Sequence, residues 1–416
     1  MTIGAAGSLR MDITDGDGTA IPAMLTLTQG EDRRLLYAIP GEDPQPLPPG
    51  TWTVSVARGF EYEPVQTEVT VPEGGEAVLT ATLLHLVDTE GWMSFDGHVH
   101  DEPSADSTVL PVDRARSAAG TGLEVVIHTN HENIQDLSYA IEDAGVAAWM
   151  ADVIGQEVTA TSPEHTNAWP FPPDPSDPRG NSVKWYGGGL GEIFALEAER
   201  GAQVRVLNHP RGGCNFLCLT GWDRIAGDVT LTDPTVMGMD ADATIWSWDF
   251  EGVEYMNGFP NVYVNPDDPE SSGLIEDWLS FQNHGHPIVA LGTSDSHSFD
   301  DLGFPRTYFS SSTDDPDQFD QEELVASIHG GKAVVSAGAF ARVSGNGAGM
   351  GELASAPDGN LDLWVQIQAV PSIDVSRVEV LVNCDRVTTV GTTDPSGVIK
   401  FDDTISLSLD QDAYVV

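Results

Sequence analysis

The chain has 416 residues and carries 65 Asp and Glu against 18 Lys and Arg, a formal charge of −47 with histidine neutral. That length points to two or three domains, and the charge excludes a nucleic-acid partner, because a phosphate backbone would be repelled by the average surface. A hydrophobic content of 40% with 10 Trp excludes disorder, since such a composition buries enough apolar surface to offset ordering entropy. No stretch approaches the roughly eighteen apolar residues of a membrane span, and the N-terminus lacks a basic segment followed by an apolar one. The acidic surface and flanking β modules fit an exported protein, periplasmic or extracellular, whose leader is absent from the chain, with a cytoplasmic location as the alternative. Cys214, Cys218 and Cys384 are too few for a disulfide framework. The first two are spaced either for a local pair in an oxidising compartment or for free thiols.

In chain order, residues 7–88 read as short runs of period two split by Gly, Pro and Asp: SLRMDI, AMLTLTQ, TWTVSVA, VQTEVTV and EAVLTATLLHLV. This predicts a small antiparallel β-sandwich as a first module, residues 1–88. From about residue 92 the apolar runs LEVVIHT, WMADVIG, VRVLNHP, PIVALGTSD and AVVSAG alternate with stretches of helical period such as PVDRARSAAGTG, GLIEDWLSFQNHG and QEELVASIHGG. Such βα repetition predicts an α/β barrel over residues 89–341, with polar residues clustered where its strands end. Strands return after residue 342, in LDLWVQIQAV and RVEVLVNCDRV, and the 342–416 region is expected to stop inside a strand, at DAYVV.

Residues two apart in a strand share a face, so His98 and His100 of FDGHVH can present both rings to one point. A metal ion is the simplest use for that arrangement. Further polar groups follow the next runs: His131 after VVIHTN, Glu157 in VIGQEVT, His209 after VLN, and Asp295 with His297 in GTSDSH. Taken singly, each is as readily a capped strand end or a satisfied histidine; jointly they point to a metal cage. Of the remaining histidines, His85, His128, His284, His286 and His329 read as structural or solvated.

The ordered series DGHVH…SADS, TNHEN, GQEVT, EHTNAWPF, NHPRGG, GVEYMNG and GTSDSH…GFPRTYF resembles the motifs of the PHP (polymerase and histidinol phosphatase) superfamily, and within it the CehA/McbA-like metallohydrolase branch. The resemblance covers residues 92–340. It implies a distorted (β/α)7 PHP barrel with two or three divalent ions, zinc, manganese or iron, at its mouth. It also implies a carboxypeptidase-regulatory-like module before the barrel. Carried over by position, the implied ligands are His98, His100, Asp106, His131, Glu157 as a bridging carboxylate, His165, His209, Asp295 and His297. Two positions depart from the pattern: Asn130 stands where relatives carry aspartate, and Glu164 where they carry glycine. Neither removes a ligand.

Nitrogen and oxygen donors without thiolate suit such ions, and the expected chemistry is metal-assisted hydrolysis with water as nucleophile. Arg211 and Arg306 are the candidates to clamp a substrate oxygen, with a surface ion pair as the alternative for each. The expected substrate is a small anionic phosphoester. Two alternatives stand beside it: a carbamate or aryl ester, which the aromatics Trp169, Trp185, Trp246 and Trp248 would suit, and a catalytically inert surface binding protein with a structural metal.

Overall fold

The structure, a computed structural model, describes residues 6–160, 164–212, 215–258, 272–392 and 394–416. Cys214 lies outside the described residues, and with it the choice between a local Cys214–Cys218 pair and free thiols, while Cys384 is an exposed free thiol. No helix among the described residues is long and apolar enough to cross a membrane.

At the N-terminal end, alternation of buried and exposed residues builds two facing sheets. One has three strands, Gln45–Leu47, Gly7–Thr14 and Glu76–Thr82, and the other four, from Asp32–Ala38 to Val65–Val71. Leu9, Leu25, Trp52, Val54 and Leu79 close the core between them. The sandwich is not purely antiparallel, because Glu76–Thr82 crosses over from the opposite sheet and pairs with Gly7–Thr14 in parallel. At the C-terminal end a four-stranded sheet centred on Asn360–Gln368 and a hairpin, Arg377–Val382 with Asp385–Gly391, enclose a core of their own around Leu363, Val380 and Phe401.

Between them, besides the short pair Trp222–Asp223 and Asp228–Val229, the described residues include the strands β1 (Trp92–Val99), β2 (Val125–His128), β3 (Ala151–Ile154), β4 (Gln156–Thr159), β5 (His165–Trp169), β6 (Val204–Leu207), β7 (Gly252–Asn257), β8 (Val289–Thr293), β9 (Arg306–Ser310) and β10 (Ala333–Ser336). They form two five-stranded sheets, in the orders β3-β2-β1-β9-β10 and β4-β5-β6-β7-β8. The regular βα alternation read from the sequence holds only in part. β1–β2, β2–β3, β6–β7 and β7–β8 pair in parallel, whereas β1–β9, β9–β10, β4–β5 and β5–β6 pair antiparallel.

The run VIGQEVT shows why. It reads as one strand but breaks at Gly155, with β3 in the first sheet and β4 in the second. A side chain at Gly155 would come within 3.0 Å of the His128 carbonyl, so glycine is what lets the chain pass that close as it changes sheets.

One core serves both sheets: Phe95, Val125 and Phe309 of the first pack with Trp169, Val206 and Leu291 of the second, and the helix Gln321–His329 adds Leu324 and Ile328. The sheets also meet at two single bridges, Val99 to Ser296 and His131 to Glu157. Both bridges fall among the residues singled out by the sequence, so the seam between the sheets is where the polar cluster is built.

Candidate metal centre

Strand geometry delivers the first pair. His98 is the penultimate residue of β1 and His100 lies just beyond its end; both are fully buried, with ring centroids 5.0 Å apart. From the second sheet β4 contributes Glu157, 1% exposed, which faces both of them: Oε1 lies 3.3 Å from His98 Nε2 and Oε2 lies 3.4 Å from His100 Nε2. Asp295, two residues past β8, places Oδ1 3.2 Å from each of the same two nitrogens.

The other histidines gather around this core. His131 Nδ1 and His165 Nδ1 each lie 3.0 Å from a Glu157 oxygen, and His209 Nε2 lies 3.5 Å away. Asp106 Oδ2 sits between His131 Nε2 at 2.8 Å and His297 Nε2 at 2.9 Å. All nine side chains named from the sequence therefore converge. Seven of them form three overlapping groups whose ligand atoms lie within 4.8 Å of one another: His100, Asp106, His131 and His297; His98, His100 and Glu157; His131, Glu157 and His165.

The fit to divalent cations rests on orphaned nitrogens. His98 Nε2 and His100 Nε2 are buried without a hydrogen-bond partner among the described residues, although carboxylate oxygens lie close by. Burying an unpartnered polar atom is costly, and a group that is buried, bare and aimed at carboxylates is what a cation between them would satisfy. The opposite ring nitrogens set that orientation. His98 Nδ1 donates to Glu254 Oε1 at 2.6 Å, His100 Nδ1 to Ser104 Oγ at 3.1 Å, and His297 Nδ1 to the Asp295 carbonyl at 2.8 Å. With a proton held on Nδ1, Nε2 is the nitrogen each ring turns inward, where its lone pair would be available to a cation.

Charge within the cluster is mutually enforced. Burial alone would neutralise Glu157, but His98, His131, His165 and His209 outweigh it and hold its pKa well below the carboxylate range. Burial likewise opposes a proton on His209, yet Glu157 and Glu254 raise its pKa to about 9. His100 is instead pulled down to about 4, because there burial outweighs the neighbouring carboxylates. Protons thus occupy part of a cluster that a cation would take over, so uptake would release them.

Several residues that position the cluster were not singled out from the sequence. Glu254 of β7, fully buried, accepts from His98 Nδ1 and Thr293 Oγ1 on one oxygen, and from the His209 backbone N–H at 2.6 Å and Asn257 Nδ2 on the other. That carboxylate helps hold His209 at a φ of 26°, a left-handed conformation few non-glycine residues adopt. Ser104 receives His100 Nδ1 and the His131 N–H and donates to Asp106, linking three members through one hydroxyl. Arg114, fully buried on the helix Pro111–Gly120, spends its guanidinium on the His100, Ser296 and Ser298 carbonyls. Asn130, noted in the sequence as a departure from the motif pattern, pairs reciprocally with Asp101 and so ties the end of β1 to the end of β2. His128 lies 3.1 Å from Asp101 and not within the cluster.

The two arginines expected to clamp substrate are occupied elsewhere. Arg306, 2% exposed, donates to the Gly303, Gly122 and Thr121 carbonyls and stacks over Phe60. A guanidinium so enclosed cannot reach a substrate oxygen. Arg211 forks onto Asp277 of the helix Leu274–Asn283, at 2.7 and 2.9 Å. Of the four tryptophans, Trp169 is fully buried in the shared core, Trp246 and Trp248 pack against Phe216, Phe250 and Phe281, and Trp185 lies against Tyr186.

No family model matches the chain, and no curated protein matches it. Among solved structures it is similar to a two-domain protein from Bacteroides vulgatus containing a predicted PHP-like metal-dependent phosphoesterase, at 17% identity over 78% of this chain and 89% of that one, with a TM-score of 0.40. It is also similar to PsfC from Pseudomonas syringae, at 14% identity over 59% of this chain and 91% of that one, with a TM-score of 0.34. Both likenesses are too slight to bear on function, which rests on the geometry of the cluster.

Proposed function

We propose that the chain is a metal-dependent hydrolase of the PHP type, related to the CehA/McbA-like branch, whose two sheets are the halves of a distorted barrel and whose substrate is a phosphoester. The observation that carries this reading is the pair of buried, unpartnered nitrogens on His98 and His100 aimed at Glu157 and Asp295. His98, His100, Asp106, His131, Glu157, His165, His209, Asp295 and His297 would hold two or three divalent ions. Bound there, the ions supply Lewis acidity that activates water and stabilises a departing oxygen.

The protein's own part is placement. Glu157, reached by His98, His100, His131, His165 and His209, would be the carboxylate shared between bound ions. Glu254, Ser104 and Arg114 fix ring tautomers and strand-end geometry, so little reorganisation is left for the reaction. Asp106 and His297, the more exposed members, mark the side open to substrate.

A second reading, hydrolysis of a carbamate or aryl ester, gains support from Arg211 and Arg306, because neither supplies the cation that would favour a phosphate. Hydrolysis of p-nitrophenyl phosphate, bis-p-nitrophenyl phosphate and 1-naphthyl methylcarbamate by the full chain with added Zn2+ or Mn2+ tests both. Turnover of a phosphate ester supports the first reading and turnover of the carbamate alone the second. Metal uptake without turnover of any would overturn both.

A further inference from the structure

The segment from Asp295 to Phe304 carries two of the nine converging side chains and is gripped from two directions. From inside, Arg114 holds the Ser296 and Ser298 carbonyls, and Asp96 accepts the Gly303 N–H at 3.0 Å. From outside, the grip comes from the N-terminal sandwich. Tyr37 donates its hydroxyl to the Phe299 carbonyl, Arg33 Nη1 meets Asp300 Oδ2 at 3.2 Å, and Phe60 meets Phe304 edge to face with centroids 5.8 Å apart. Ile39 shares one apolar cluster with Val99, Ala119 and Leu302, so the module and the segment have part of their core in common.

These contacts differ from those of a tethered accessory module, which would meet the rest of the chain through a polar, separable surface. Tyr37 is only 8% exposed, and its ring packs on Gly120, where any side chain would collide with it. Closing the interface therefore fixes the tyrosine hydroxyl at one point, and that point is the backbone two residues beyond His297.

We propose that the N-terminal β module is a working part of the metal centre, with Tyr37 and Arg33 as positioning residues that hold the 295–304 segment so that Asp295 and His297 face the other imidazoles. The proposal rests on the metal-centre reading above. A backbone left to drift by even a fraction of an ångström would move His297 relative to Asp106 and His131. The His131, Glu157 and His165 group takes no residue from the segment.

The test is Zn2+ titration of the metal-stripped full chain against a chromogenic chelator, in wild type and in the Tyr37→Phe/Arg33→Ala variant. Phenylalanine keeps the ring against Gly120 and removes only the hydroxyl, and Arg33 and Asp300 are about half exposed, so the fold has little to lose. At least one Zn2+ equivalent is expected to be held about tenfold more weakly, with another retained at wild-type affinity and melting of the stripped protein unchanged. Arg10→Ala, which breaks an exposed pair with Glu76 in the same module, is expected to bind as wild type does. Affinities identical to wild type in the double variant would overturn the proposal, as would equal weakening of every ion accompanied by earlier melting of the stripped protein. A wild-type chain that takes up no Zn2+ would overturn the metal-centre reading itself.

Discussion

Glu254 on β7 accepts the Nδ1 proton of His98 on β1 at 2.6 Å, and both residues are fully buried. A buried carboxylate with four donors on its two oxygens is ionised, and His98 and His209 keep its pKa below the ordinary value against the effect of burial. Its function follows from that contact, because a proton fixed on Nδ1 leaves Nε2 bare toward Glu157 and Asp295.

Glu254→Gln would exchange one acceptor oxygen for a donor that faces either His98 or the His209 N–H. Metal affinity is expected to fall by about 10- to 100-fold with hydrolysis falling alongside, while circular dichroism reports the native fold. Competition with a graded chelator series measures the loss; unchanged affinity would show that the His98 tautomer is set by another group.

Glu157→Gln removes the charge that five imidazoles converge on. Loss of more than one ion per chain is expected, since the carboxylate stands in two of the three ligand groups. Elemental analysis of the purified variant counts the ions, and loss of a single ion would place the shared position elsewhere.

Arg306→Lys is expected to cost stability rather than catalysis. A single ammonium cannot serve the Gly303, Gly122 and Thr121 carbonyls together, so about 2 kcal/mol is lost, through buried acceptors left unpaired. Urea unfolding reads that loss, and kcat/KM of the folded protein is expected to match wild type. A fall in kcat/KM with stability unchanged would restore the arginine to the substrate.

Glu197 predicts a pH dependence. It is fully buried on the helix Leu190–Glu199, one oxygen accepts from Thr166 Oγ1 at 2.9 Å, the other is unpartnered among the described residues, and burial raises its pKa to about 8. A carboxyl raised on folding binds its proton more tightly in the native state. Its contribution is therefore full below the ordinary value of 4.5 and is lost as pH rises from there toward about 8. Glu197→Gln keeps the acceptor for Thr166 and removes the titration. The variant is expected to gain on the order of 4 kcal/mol over wild type at pH 8 and nothing at pH 4, read by thermal melting at both pH values. Equal gains at both would show that the glutamate does not titrate in this range.

The cluster was legible where chemistry and spacing coincide on a few residues. His98 and His100 lie two apart in a strand, so their shared face follows from the backbone repeat alone. Glu254 carried a weaker signal, a charged residue inside the otherwise apolar strand GVEYMN, and nothing local shows that its partner is His98, 156 positions away. Arg306 was misread for the same reason: the carbonyls and ring that enclose it come from Phe60, Thr121 and Gly122, which approach it only once the chain has folded. Strand direction was hidden too, because the short runs of β4, β5 and β6 look alike whether they pair parallel or antiparallel, and Gly155 looks like any loop glycine until both sheets are present.

The most direct measurement is elemental analysis by inductively coupled plasma mass spectrometry, beside the hydrolysis assays, on wild type and on the His98→Ala/His100→Ala variant. Two or three divalent ions in an active wild type, with depleted metal and no turnover in a variant that remains folded, is the predicted result. A double variant that hydrolyses as fast as wild type, or a wild type that stays metal-free and inert after Zn2+ or Mn2+ is added, would contradict it.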